Sequence, residues 1–308
     1  MKKIIATIIL CNILISKNTI AQGCSDAGFC TMGSIKQNSS VDDEKYKQKL
    51  AIILTNGIGD EDVYVFTPAV QYDYKFNNNW AVQAKLTANY ASGNLGSAFG
   101  IGDLFLAGSY STKPKNNWKT IFILGTKIPL NESNLKADNK SLPMQYQCSL
   151  GTVDIIGGFT VTNNKWNFSA AYQQPLSGTN KNKFLPIYWN TANASKYLPS
   201  NDFNRKSDAL IRVSYLFNTT KKININAGLL AIYHFSNDTY IDGGISNNAI
   251  EIKGSNGLTL NATAIANYKI NNKISLGLTV GVPLVVRDFR PDGLTRQFVI
   301  SPEIIFNF

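Results

Sequence analysis

The chain has 308 residues, 16% of them charged and 44% hydrophobic, with a formal net charge of +10. Past residue 21 no run is long and apolar enough for a membrane helix. The basic excess is spread along the chain rather than clustered, which argues against a nucleic-acid partner. Few charges and no apolar runs together describe a chain whose hydrophobic residues are diluted by alternation, as in a membrane β-barrel.

The first residues read as a signal peptide. Lys2 and Lys3 form a positive start, Ile4 to Ile15 an apolar stretch, and Thr19-Ile20-Ala21 a small-x-small end, so that Gln22 begins the mature chain. Removing Lys2, Lys3 and Lys17 takes the charge from +10 to +7. Ala21-Gln22-Gly23 ahead of Cys24 lacks the Leu-type residue of a lipobox, which argues against lipidation. Residues 22–46 are polar, without strand signals, and are expected to form a periplasmic extension or a plug. In an oxidising compartment Cys24 and Cys30 are candidates for a short-loop disulfide, while Cys148 is either free or paired with one of them.

From residue 47 to 308 segments of ten to fourteen residues alternate apolar and polar, the period of a strand. In the segment Leu258 to Ile270, Leu258, Leu260, Ala262 and Ala264 share one face, and Thr259, Asn261 and Thr263 the other. Ile274 to Val286 and Ile223 to Phe235 divide the same way. Twelve strands are expected, near 47–58, 63–76, 79–91, 100–112, 117–129, 148–161, 165–177, 206–218, 222–235, 257–270, 273–286 and 297–308. Such lengths suit a tilted crossing of a bilayer, which takes about 9 to 11 residues, better than soluble strands of about 5 to 6.

Connections alternate too. Tight turns fall near Asn77-Asn78-Asn79, Lys115-Asn116-Asn117, Thr162-Asn163-Asn164, Thr219-Thr220-Lys221 and Asn271-Asn272-Lys273, and polar connections near 91–100, 130–147, 178–205, 236–256 and 287–296. Short periplasmic turns and long outer loops are the pattern of outer-membrane barrels. Trp80, Trp118 and Trp166 each open a strand just after a tight turn, where an interfacial aromatic belt belongs. The expected fold is therefore an all-β, transmembrane, antiparallel up-and-down barrel of about twelve strands in the outer membrane of a Gram-negative cell, its outer face against lipid.

Parity assigns the inner face. Lys75, Lys85, Asp103, Lys127, Asp154, Arg212, Lys269, Arg287 and Glu303 are expected to line the lumen. Buried charges must pair or meet water, so a salt-bridged interior and a slightly basic channel for small anionic or polar solutes both fit. No phosphate-binding loop, cofactor motif or metal set of convincing spacing is present in the sequence.

Gly100-Ile101-Gly102-Asp103-Leu104, with Ala107-Gly108-Ser109-Tyr110, resembles the Gly-x-Gly-Asp strand of the meta-pathway phenol-degradation family of outer-membrane barrels, which is grouped with long-chain fatty acid transporters. Lys127-Ile128-Pro129-Leu130 is similar to that family's Lys-Leu-Pro-Thr-Gly element without its Thr-Gly, and residues 150–158 to its Gly-rich strand with an Asp. The resemblance implies uptake of small hydrophobic or aromatic compounds. Since an N-terminal segment plugs the fatty acid transporters, it also implies that residues 22–45 could fill the lumen.

One alternative is catalytic. His234-Phe235-Ser236-Asn237 is similar to the His-x-Ser motif of outer-membrane phospholipase A and of lipid A deacylases, with Asn248 or Asn247 as a third polar group. Residues two apart on a strand share a face, so the imidazole could serve as base to the hydroxyl. Asp238-Thr239 follows where the phospholipase has Gly-Arg, and parity turns the pair inward rather than toward lipid. A third reading is an interaction barrel, in which Phe184, Tyr188 and Trp189 of the 178–205 loop meet a partner.

Overall fold

A computed structural model describes residues 46–308 apart from 177, 219, 221, 245, 246 and 294–296. The expected signal peptide, the extension up to residue 45 and the Cys24–Cys30 pair lie outside the described residues.

Twelve antiparallel strands close into one barrel: β1 (Gln48–Ile58), β2 (Tyr64–Lys75), β3 (Trp80–Gly93), β4 (Gly96–Ser111), β5 (Lys119–Pro129), β8 (Asp154–Thr162), β9 (Trp166–Pro175), β10 (Asp208–Asn218), β11 (Ile223–His234), β14 (Gly257–Lys269), β15 (Ile274–Val285) and β16 (Phe298–Asn307). Each pairs with its neighbour in sequence, and β1 closes on β16, with Ala51 opposite Ile305. Closure satisfies every ladder and leaves no edge, the condition for β-structure in lipid. Two short hairpins lie outside the wall: β6 (Lys136–Ala137) with β7 (Lys140–Ser141), and β12 (Thr239–Ile241) with β13 (Ala249–Glu251).

The tight turns are held by side chains. Asn77 Oδ1 accepts the backbone N–H groups of Asn79 and Trp80, both at 2.9 Å. Asn163 does the same for Lys165 and Trp166 at 2.8 and 2.7 Å, and Asn271 for Lys273 and Ile274 at 2.8 and 2.9 Å. In the turn between β4 and β5 Asn116 and Asn117 both take positive φ, 51° and 64°, the backbone of a two-residue type I′ hairpin. Asparagine recurs at these turns because its amide replaces a missing ladder partner and because it tolerates the left-handed region.

Along each strand exposed apolar side chains alternate with buried ones. Ile52, Val70, Leu124, Phe159, Ile211, Leu229 and Leu278 are exposed on the outer wall. Gln71, Lys85, Ile156, Ser169, Arg212, Asn261 and Glu303 are buried behind it. Trp80, Trp118 and Trp166 are exposed outside, next to the tight turns, and Trp80 packs on Tyr110 across the β3–β4 ladder with centroids 4.9 Å apart.

Two irregularities depart from strict alternation. The β3–β4 register shifts between Leu86 and Ala88, where β4 carries an extra residue. Gly102 and Asp103 are consequently both buried. A Cβ on Gly102 would lie 2.5 Å from Thr87 Oγ1, so the bulge needs glycine. Between β14 and β15 a second shift near Leu260 turns Leu284 and Val285 outward together. Pro283, which has no N–H for the ladder, sits at that point.

The loop end differs most from expectation. The 91–100 segment is no long loop: β3 and β4 run past the wall and meet in a turn at Asn94 and Leu95. The strand expected from residue 148 starts at Asp154, and residues 130–153 fold over the mouth instead. Together with residues 178–207, 236–256 and 286–293 they build a cap with a core of its own. Leu142, Tyr146, Phe184, Ala194 and Tyr197 cluster with Val65, Ala91 and Leu95 of the wall, and Met144, Leu150, Phe203 and Ile252 form a second cluster.

Loop backbone buried in this way needs partners other than a ladder. Asn182 provides several: its amide donates to the carbonyls of Ser133 and Leu142 at 2.8 and 3.0 Å, and its oxygen accepts from Phe184 N at 2.9 Å and Ser200 Oγ at 2.8 Å. Asn180 donates to Leu150 O at 3.1 Å and accepts from Asn182 N and Phe203 N at 3.0 and 3.1 Å. Phe184 is thus a core residue of the cap, and Trp189 donates to Ser141 O at 3.0 Å. Of the three aromatics expected to meet a partner, Tyr188 is the exposed one.

Candidate functional site

The inner wall grades from wet to dry. Near the tight turns Lys49, Asp73, Lys75, Lys119 and Lys269 are partly exposed, whereas near the loops Lys127, Asp154, Gln173, Asp208 and His234 are almost completely buried. The described residues therefore outline a cup, with water reaching in from the tight-turn end and the cap across the other. One stretch of the inner wall is apolar: Phe105, Ile123, Ile156, Leu210 and Leu230 cluster, flanked by Ile121, Ala171 and Ile232.

Charges beneath the cap are paired. Lys127 Nζ lies 2.9 Å from Asp154 Oδ2, with both side chains fully buried. Asp154 also accepts from Thr152 Oγ1 at 2.7 Å and from Gln173 Nε2. Asp103 accepts from Ser149 Oγ at 2.5 Å, tying the bulge of β4 to the cap. Between wall and cap remains a cavity of about 20 Å³ lined by Thr67, Thr87, Asn89, Asp103, Cys148 and Asp292, among others. That is room for one water.

At the rim of β10, β11 and the cap three acids meet three bases. Arg205 Nη2 lies 2.5 Å from Asp208 Oδ2, and its Nε lies 3.4 Å from Asp292 Oδ2. Arg287 Nη2 donates to the same Asp292 oxygen at 2.9 Å, and its Nη1 to Ser255 O at 2.6 Å. His234 Nδ1 is 2.7 Å from Asp208 Oδ1, and Nε2 is 2.9 Å from Asp238 Oδ1. Two carboxylate acceptors on one ring are satisfied when both nitrogens carry hydrogen. A singly charged ring then makes the buried set neutral, three against three.

The cluster shapes its members. Burial alone would raise the Asp292 carboxyl, but the charges of Arg287, Arg205 and His234 outweigh it and hold that group well below the usual carboxylate range. Burial alone would lower Arg205, and the charges of Asp208, Asp292 and Asp238 raise it instead. Elsewhere in the cap burial, reinforced by Asp103, pushes the Cys148 thiol up to about 12.

The residues singled out in the sequence divide by this geometry. Lys85, Asp103, Lys127, Asp154, Arg212 and Glu303 are buried on the inner side, while Lys75 and Lys269 lie nearer the open end. Arg287 follows the end of β15 and belongs to the cap. The catalytic alternative is not assembled: His234 is buried with both nitrogens on aspartates, and Ser236 and Asn248 are exposed in the following connection. Inward parity, which binds the ring into the rim cluster, is the reason. Cys148 lies in the cap rather than on a strand, with its Sγ 3.1 Å from Ile101 O. Sequence reading missed Arg205, Asp238 and Asp292, because non-periodic loops carry no parity that would aim a side chain.

Solved structures with a similar course of the chain include the NanC porin (8% identity, TM-score 0.47, 84% of this chain and 98% of that one) and the KdgM porin (10%, 0.42, 84% and 99%). The CymD monoaromatic hydrocarbon channel is a third (9%, 0.43, 95% and 99%). No family model matches the chain, and no curated protein matches it. The class is fixed by the architecture itself: a transmembrane, antiparallel, twelve-stranded β-barrel with an apolar outer wall.

Proposed function

We propose that this chain is an outer-membrane channel for small organic anions, exported by a signal peptide cleaved near Ala21, with the tight turns in the periplasm and the cap outside. The observation that carries the reading is the charge of the inner wall. Setting aside the side chains bound into the cap, the described inner wall presents Lys49, Lys75, Lys85, Lys119, Arg212 and Lys269 against Asp73 and Glu303. A low-dielectric wall with one sign in excess concentrates the opposite ion and sets selectivity.

The apolar stretch around Phe105, Ile156 and Leu230 suits a solute with a hydrocarbon or aromatic body, in keeping with the resemblance of residues 100–110 to the phenol-degradation barrels. A carboxylate on such a body would use both features. The test is conductance of the mature protein in planar bilayers, with the reversal potential read in a KCl gradient. An anion-selective conductance that rises when the cap is shortened is the expected result. A cation-selective pore, or no conductance with and without residues 178–205, would refute the reading.

A further inference from the structure

We infer that Arg205 and Arg287 form a carboxylate-binding site which the chain fills with its own Asp292, and that an anionic solute opens the cap by taking that place. The inference rests on the channel reading above. Two buried guanidinium groups converge on a single oxygen of Asp292, at 3.4 Å from Arg205 and 2.9 Å from Arg287. Arg205 reaches it through Nε, not as a bidentate fork, and its Nη1 is buried without a hydrogen-bond partner. Leaving a charged donor unmet in the interior is costly, and a carboxylate oxygen brought to Nη1 would meet it. Arginine, always charged and rich in donors, is the usual side chain for recognising planar oxyanions.

Asp292 is also the member of the cluster best placed to leave. Asp208 begins β10 and is fixed by the ladder. Asp238 accepts N–H groups from Lys206 and His234 at 2.9 Å. Asp292 sits on the connection between β15 and β16, next to Gly293, whose φ is +67° and whose missing Cβ lets the chain press on Met144 of the neighbouring loop. Moving Asp292 outward would free that contact, together with the 3.1 Å bond of Arg290 to Asp60. The 20 Å³ cavity between wall and cap is lined in part by Asp292 and Gly293. An incoming monoanion would replace one negative charge with another and keep the cluster balanced, so exchange is cheap where simple removal is not.

The experiment compares wild type with Asp292→Asn, both reconstituted and shown to be folded by heat-modifiable mobility. Conductance and tryptic cleavage at Arg287 are read in acetate, inorganic phosphate or chloride at equal ionic strength. The expected result is that acetate raises wild-type opening and cleavage by about tenfold over chloride, a coupling of ordinary size. Asp292→Asn should be open in chloride and indifferent to acetate.

Wild type that ignores acetate, or answers phosphate alone, overturns the carboxylate site while a conducting Asp292→Asn leaves the channel reading intact. Cleavage that responds to acetate in a protein that never conducts would uphold the site and overturn the channel. If Asp292→Asn does not fold, the wild-type cleavage assay decides the site by itself.

Discussion

The two ends of this barrel solve the same problem, how to finish a strand, with different chemistry. At the tight-turn end local bonds suffice: Asn77, Asn163 and Asn271 each cap the next two or three residues, and the inner wall there stays open to water. At the loop end local bonds such as that of Phe184 N to Asn182 are joined by contacts between distant segments. Arg205, Asp238 and Asp292 come from three different connections and meet on strand ends, and the wall beneath them is dry. One end is held by many weak, independent bonds, the other by a few strong and mutually dependent ones, so substitutions at the two ends should differ in size and in additivity.

The largest effect is expected inside the dry half. Asp154→Ala strips the carboxylate from a fully buried Lys127, and an uncompensated buried charge costs about 3–5 kcal/mol. The double change Asp154→Leu with Lys127→Met should recover most of that, since a buried pair is often no better than an apolar one. Unfolding in urea from lipid vesicles measures both, and a single mutant as stable as wild type would mean that water reaches Lys127. Next comes the wall. Leu278→Lys, on the exposed outer face, should cost about 2–4 kcal/mol at mid-membrane, whereas Thr279→Lys, on the inner face of the same strand and two residues from the position opposite Glu303, should cost less. Equal costs would contradict the assignment of faces.

This wall was readable in the sequence because a period of two leaves a mark on every residue. The faces of Leu258 to Ile270 and Ile223 to Phe235 are those of β14 and β11, and most strand ends lie within one or two residues of expectation. The Asn-rich turns were readable for a related reason, their chemistry being local. What escaped was everything that depends on contacts distant in sequence. The bulge at Gly102-Asp103 is set by Thr87 and the cap, not by its own residues. The cap core looked like polar loop, although Leu142, Tyr146 and Phe184 are the kind of residues that loops seldom expose. His234 stood out as a rare residue next to a serine, and its true neighbours, Asp208 and Asp238, carry no motif.

Acid offers a gentler way to separate the two ends. The tight turns hold no carboxylate, so pH should leave them unchanged. At the loop end Asp292 is held well below the usual range. A carboxylate with a depressed folded value contributes fully above its ordinary value of about 3.9 and is lost only as pH falls through the depressed one. Opening of the cap, read as conductance, should therefore stay low from neutrality down to about pH 4 and rise only below it. Opening between pH 5 and 6 would mean that Asp292 is not the group that holds the connection.

The smallest effect belongs to a single turn. Asn163→Ala removes the acceptor shared by Lys165 N and Trp166 N, and both donors lie at an exposed hairpin where water can replace it. A hydrogen bond lost to water is worth about 0.5–1.5 kcal/mol, so the pair should cost roughly 1 kcal/mol with no change at the cap. Asn163→Asp keeps the acceptor and should be close to neutral, which separates loss of the bond from loss of the side chain. Because each turn is independent, Asn163→Ala with Asn271→Ala should sum within about 0.5 kcal/mol. A strongly cooperative sum, read by unfolding in urea, would show that the tight turns are coupled through the wall, as the rim residues are coupled through Asp208 and Asp292.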